Sequence, residues 1–177
     1  KFFLSQKLQK DIFAIICSKK INTIILGGPS GLGKRTFVLK LAKFILCKLE
    51  ITKDINYDFF EDNKMDFEQI KKTKSFSLFD NNSHPDFFYL NDEDKTIAKT
   101  IPIENVRKFK NFFYKTDSIS RVKIGIINTI EDLSINSQNL LLKTIEELPR
   151  TSYLFIISNN QANILETIKS RCTFFYT

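Results

Sequence analysis

Apolar residues recur along this chain in two alternating rhythms. From Ser5 to Ser18, Leu8, Ile12, Ile15 and Ile16 fall at helical spacing with Lys7, Gln9, Lys10 and Asp11 between them, which predicts a packing helix. Thr23 to Leu26 is a short β-branched run bounded by glycines, the signature of a buried parallel strand. Thr36 to Leu49 returns to the helical rhythm, with Val38, Leu39, Leu41, Ala42, Ile45 and Leu46 inward and Lys40, Lys43 and Lys48 facing water. Asp86 to Leu90 reads as a strand, Ile103 to Lys115 as a helix introduced by Pro102, and Arg121 to Ile127 as a strand. Ser137 to Glu147 follows as a helix stopped by Pro149, Ser152 to Ser158 as a strand, Asn163 to Lys169 as a short helix, and Thr173 to Tyr176 as a fifth strand. Residues 50–83 keep no such rhythm. Only Met65 to Lys72 looks helical there, so the segment reads as an irregular insertion.

Strands alternating with helices predict an α/β fold: five parallel strands with helices on both faces. Ligands of such sheets sit at the carboxyl ends of the strands. Gly27 and Gly28, Asn128 and Thr129, and Ser158 and Asn159 then share one edge, where chemistry is expected. Val106, Phe109, Phe112 and Phe113 face inward on their helix and read as core rather than as a base-stacking platform.

The first strand runs directly into Gly28, Pro29, Ser30, Gly31, Leu32, Gly33, Lys34, Arg35 and Thr36. This is a phosphate-binding loop in outline: glycines let backbone N–H groups turn inward, the helix N-terminus adds positive potential, and a lysine reaches the outer phosphates. The pattern wants a hydroxyl directly after the lysine to hold magnesium, yet Arg35 stands there and Thr36 comes one step late. Arg35 either fills the magnesium position with its own charge or points to solvent from the helix surface. Metal support is weakened again at the third strand, whose end carries Asn128 and Thr129 where an ATPase needs acids. Glu131 and Asp132 lie three residues on, about 10 Å away along an extended chain, too far to substitute. Each such loss typically costs several kcal/mol of barrier, roughly a hundredfold or more in rate. The loop either holds ATP, ADP or phosphate without efficient turnover or merely links strand to helix, and no cofactor is required.

Length and composition change this picture little. The 177 residues suit one domain, and the first being Lys1 leaves room for a longer protein. Net charge is +7, but only five of the 27 cationic residues are arginine, as an AT-rich genome would encode, so charge alone is weak ground for nucleic-acid binding. Cys17, Cys47 and Cys172 are too scattered for a disulfide framework or a zinc site, and a cytoplasmic protein is expected. No apolar run is long enough for a membrane helix. His84 cannot form a metal site alone, and Cys172 has no neighbouring histidine to activate it.

GPSGLGKRTFVLKLAKFILC at 28–47, HPDFFYL at 84–90, IPIENVRKF at 101–109, SQNLLLKTIEELP at 137–149 and IKSRC at 168–172 together resemble the AAA+ module of the bacterial clamp-loader family, nearest its delta-prime branch. The resemblance implies a P-loop NTPase core spanning 1–177 with 50–83 inserted, lid and collar domains lying elsewhere, and no zinc, since only Cys47 matches the four-cysteine module common in that branch. It also implies membership of a ring that loads the sliding clamp onto primed DNA, with motor ATPase subunits and a clamp-opening subunit as partners. Within Ser170-Arg171-Cys172, Arg171 is then an arginine finger aimed at the nucleotide of a neighbouring subunit, a role worth roughly 10³ to 10⁵ in rate. The plainer reading is a surface arginine capping a helix C-terminus. A structural subunit that does not hydrolyse ATP is the first expectation. The alternative is a working AAA+ ATPase, and a weaker third is a DNA-binding module using its lysine surface.

Overall fold

A computed structural model describes residues 6–18, 20–52, 67–91, 100–115 and 119–177. In chain order these form α1 (Gln6–Ser18), β1 (Thr23–Gly27), α2 (Lys34–Thr52), α3 (Phe67–Lys71), α4 (Lys74–Asp80), β2 (Phe87–Leu90), α5 (Ile103–Phe112) and β3 (Lys123–Ile127). Then come α6 (Ile135–Glu146), β4 (Ser152–Ser158), α7 (Glu166–Lys169) and β5 (Thr173–Tyr176), with short 3₁₀ turns at Ile130–Asp132 and Gln161–Asn163. The strands make one parallel sheet in the order β2-β3-β4-β1-β5.

The three central strands β1, β3 and β4 are buried along their whole length because helices cover both faces, while the edge strands β2 and β5 are only partly buried. Ile24, Leu26, Ile124, Ile126, Phe155 and Ile157 pack with Ile12 and Ile16 of α1 and with Val38, Leu41 and Ile45 of α2. The alternate residues Ile25, Ile127, Leu154 and Ile156 pack with Val106, Phe109, Leu141 and Ile168 of α5, α6 and α7. The period-2 alternation of strand side chains thus sorts the sheet into two cores. The phenylalanines of the α5 region are core: Phe88, Phe109, Phe112 and Phe113 meet edge to face at 5.1 to 5.7 Å between centroids.

Four departures from the expected pattern stand out. α2 begins at Lys34, because the phosphate loop leads straight into its first turn, and ends at Thr52. Lys48, expected in water, is 2% exposed with its ammonium 5.4 Å from the Phe44 ring centroid. β3 starts two residues late, at Lys123, after Arg121 takes φ 58°. The segment expected to be irregular also carries an unforeseen helix, α4, whose Thr73 cap accepts from the Phe76 amide at 3.2 Å. α4 lies against α2, where Lys43 pairs with Asp80 at 2.5 Å. The expected starts at Ser5 and Met65, and residues 53–66 of the insertion, lie outside the described residues.

A buried polar network ties α4 to the sheet. Asp86 is 0% exposed and its Oδ2 accepts the amides of Ile119 and Ser120 at 2.6 and 2.8 Å. His84 Nδ1 accepts the Asp86 amide at 3.1 Å, and its Nε2 lies 3.5 Å from Ser120 Oγ, itself 3.3 Å from Ser75 Oγ. Glu50 at the end of α2 accepts the amides of Lys74 and Ser75. Burial lowers the His84 pKa from its usual 6.5, against the opposing charges of Asp86 and Glu50. A lowered folded pKa means that the native state binds this proton less readily than the unfolded chain, so the stabilisation is complete above about pH 6.5 and lost as pH falls through the folded value. Thermal melts should therefore drop between pH 7.5 and 5.5, and His84→Gln should flatten that slope. An unchanged slope in the variant would assign the acid sensitivity elsewhere.

Candidate functional site

The carboxyl edge of the sheet brings together three of the expected segments. β1 ends at Gly27 and leads into Gly28, β3 ends at Ile127 and leads into Asn128, and β4 ends at Ser158. Ser30, Gly31, Gly33, Lys34, Arg35, Thr36, Asn128, Thr129 and Asn159 line one cleft of about 360 Å³. Gly28, Gly31 and Gly33 adopt φ of 139°, 86° and 79°, which is the left-handed backbone that a looped nest of amides needs. At Gly28 space also matters, since a Cβ would stand 2.2 Å from Thr177 Oγ1. Pro29 and Ser30 are exposed and Leu32 is half-buried.

Lys34 is turned into the protein. It is 3% exposed, and its ammonium donates to the carbonyls of Gly28 and Pro29 at 2.6 Å each. Burial lowers its pKa, while the charge of Glu131 acts the other way. A phosphate in the cleft would have to draw this side chain off two carbonyls of its own loop.

Arg35 lies on the helix surface: it is exposed, with its guanidinium 5.3 Å from the Tyr89 ring centroid. This geometry matches the second of the two readings and stacks a cation on β2. Asn128 is 7% exposed and its amide donates to the Leu90 carbonyl. Its neutral side chain brings no carboxylate to the position after β3. The expectation about Glu131 needs correcting. The chain beyond Thr129 does not stay extended but coils into the 3₁₀ turn Ile130–Asp132, which carries Glu131 back to the edge. There Oε1 accepts from Ser158 Oγ at 2.5 Å and from the amides of Asn159 and Asn160 at 2.9 and 2.8 Å. Oε2 has no hydrogen bond among the described residues. No residue pattern announced this acid, because its place depends on how the turn coils.

The loop's glycines thus take positive φ beside the cleft, while the position directly after Lys34 is Arg35 rather than a hydroxyl and the one after β3 is Asn128 rather than a carboxylate. Among the described residues no group of three His, Cys, Asp or Glu side chains could hold a metal ion, and no helix is long and apolar enough to cross a membrane.

Arg171 sits apart from all of this. β5 begins at Thr173, beside Ile24, and ends at Tyr176, beside Gly27, so about 10 Å of strand at roughly 3.3 Å per residue separates Arg171 from its own phosphate loop. Its side chain is 41% exposed; Nε donates to Glu146 at 2.6 Å and Nη1 to the Thr167 carbonyl of α7 at 3.0 Å. Burial pushes the adjacent Cys172 thiol up to about 12, against the lowering effect of Arg171, which leaves no thiolate for nucleophilic chemistry.

Comparison with known proteins agrees with this architecture. The DNA polymerase III subunit delta' of Pseudomonas aeruginosa is 29% identical over 148 residues, covering 84% of this chain and 40% of that protein. That of Buchnera aphidicola subsp. Baizongia pistaciae is 27% identical over 173 residues, covering 96% and 48%. The chain thus spans less than half the length of these relatives. Among solved structures, a DNA polymerase III gamma subunit-related protein from Thermotoga maritima superposes with a TM-score of 0.59 at 17% identity, over 97% of this chain and 46% of that one. The sheet with its flanking helices is an AAA+ core of the P-loop NTPase class. With residues 4–176 matching its model, the chain belongs to the DNA polymerase III, delta subunit family.

Proposed function

We propose that this chain is a structural subunit of the bacterial clamp loader, acting on the nucleotide of a neighbour rather than on one of its own. Its work in that reading is to help place the sliding clamp on primed DNA alongside motor ATPase subunits and a clamp-opening subunit. The observation that carries the proposal is the separation of the two ends of the sheet. The exposed arginine stands at one end, and the phosphate loop, short of magnesium ligands and with its lysine folded inward, stands at the other. An arginine so placed suits a phosphate held by another subunit better than one held by its own loop. Relatives named delta' subunits of DNA polymerase III support the assignment to that machine.

One observation favours the alternative of a working ATPase. Glu131 reaches the loop edge with Oε2 unpaired among the described residues, where a base for the attacking water would be needed. The full-length protein, assayed alone with magnesium and ATP, should show no turnover above a protein-free control. Turnover that disappears in both Lys34→Ala and Glu131→Gln would establish the ATPase reading instead.

A further inference from the structure

A second cluster of cations lies at the opposite end of the sheet from the phosphate loop. Lys123 opens β3 and Ser152 opens β4, paired in register. Four strand steps, about 13 Å at roughly 3.3 Å each, carry β3 from there to Ile127 and the phosphate-loop edge. Around the pair is a cleft of about 370 Å³, lined by Phe113, Lys115, Arg121, Lys123, Thr151 and Ser152. No acidic side chain lines it among the described residues.

Three independent features set this cleft apart from an ordinary basic surface. Lys115 and Arg121 are exposed and form no ion pair with a described residue, while Lys123 is 7% exposed with its ammonium held 4.9 Å from the Phe112 ring centroid. Ser152 is 1% exposed, and its hydroxyl has no hydrogen bond among the described residues, a desolvation cost that nothing offsets. Arg121 holds φ 58°, a conformation rare outside glycine, asparagine and aspartate. Backbone strain of this kind persists where the surroundings impose it and gathers at ligand sites.

We infer that this cleft binds a phosphoryl group, as a site separate from the phosphate loop. Three cations and the hydroxyls of Thr151 and Ser152 converge from three segments of chain. That arrangement suits a tetrahedral anion with several oxygens better than a planar carboxylate with two. The same chemistry is offered by free phosphate and by a nucleic-acid phosphodiester.

The test is an NMR titration of the isotope-labelled full-length protein with inorganic phosphate at constant ionic strength. Saturable shifts are expected at the amides of Arg121, Lys123, Thr151 and Ser152. Arg121→Gly should weaken binding by about fivefold or more through the lost charge, with a melting temperature equal or higher, because glycine takes positive φ without strain. Lys115→Gln should weaken it as well without touching the buried floor. Shifts confined to Gly28–Lys34, no saturation at the four amides, or wild-type affinity in both variants would overturn the site. A second titration uses a short single-stranded oligonucleotide without terminal phosphates. Binding that depends on Arg121 identifies a nucleic-acid backbone as the source, and its failure with phosphate binding retained identifies a free phosphoryl ligand. A glutamate-rich peptide that outcompetes phosphate at these amides would replace the phosphoryl assignment with an acidic protein segment.

Discussion

Arg171→Ala should leave this subunit folded and assembled while nearly silencing ATP hydrolysis at the neighbouring nucleotide site that the proposed finger would serve. An arginine finger spreads positive charge over the transferring phosphoryl oxygens, and its removal typically costs about 10³ to 10⁵ in rate. In a loader with several ATP sites the total turnover would fall only by the share of the affected site. The decisive readout is therefore single-turnover hydrolysis resolved by site. Arg171→Lys should recover little, because an ammonium lacks the planar fork that engages two oxygens at once. The competing role is visible in the same side chain: it bonds the Thr167 carbonyl at the end of α7 and pairs with Glu146. Both partners of that pair are about half exposed, so losing it should cost under about 1 kcal/mol of stability. A lowered melting temperature with unchanged turnover in the assembled loader would leave Arg171 as a helix cap and nothing more.

Asp86→Ala should be the most damaging single substitution in the polar network, at about 3 kcal/mol measured by urea denaturation. The carboxylate is fully buried, and its Oδ2 alone accepts the Ile119 and Ser120 amides. Hydrogen bonds to a charged acceptor contribute about 1.5 to 3 kcal/mol, and the stranded amides add a desolvation cost. Against a typical total of about 5 to 15 kcal/mol, that is a large share. Asp86→Asn keeps an oxygen for the two amides and should cost distinctly less. Equal losses in the two variants would mean that packing rather than these hydrogen bonds holds the segment before β3. The network also explains how α4, within a stretch without sequence rhythm, is tied to the sheet. The tie comes from side chains far apart in the chain, Glu50 on α2, Ser75 on α4, His84 and Asp86 before β2, and Ser120 before β3.

The two ends of the sheet now have different standings. At the loop end, the Gly28–Thr36 segment keeps the backbone of a phosphate site, but its lysine is satisfied by its own carbonyls and the residues that would hold magnesium are Arg35 and Asn128. At the other end stand Arg171 and the cleft around Lys123 and Ser152, and neither depends on the loop. In the proposed reading the sheet serves as the frame that sets the distance between these surfaces.

The sequence by itself determined the sheet, its helices and the loop, because each is written locally. Short runs of apolar residues mark β1, β4 and β5, the period-3.6 pattern marks α1 and α5, and glycines at 28, 31 and 33 encode a backbone that few other residues adopt. The substitutions at Arg35 and Asn128 were legible for the same reason, since a motif fixes which residue stands at which position. What only the tertiary structure decided depends on groups distant in sequence. Lys48 is buried although the pattern within α2 places it in water. Glu131 reaches the loop edge because the chain coils after β3, and its partners Ser158, Asn159 and Asn160 come from another strand. The separation of Arg171 from the phosphate loop follows from the register of β5 on β1, a property of paired strands that neither strand's sequence carries alone.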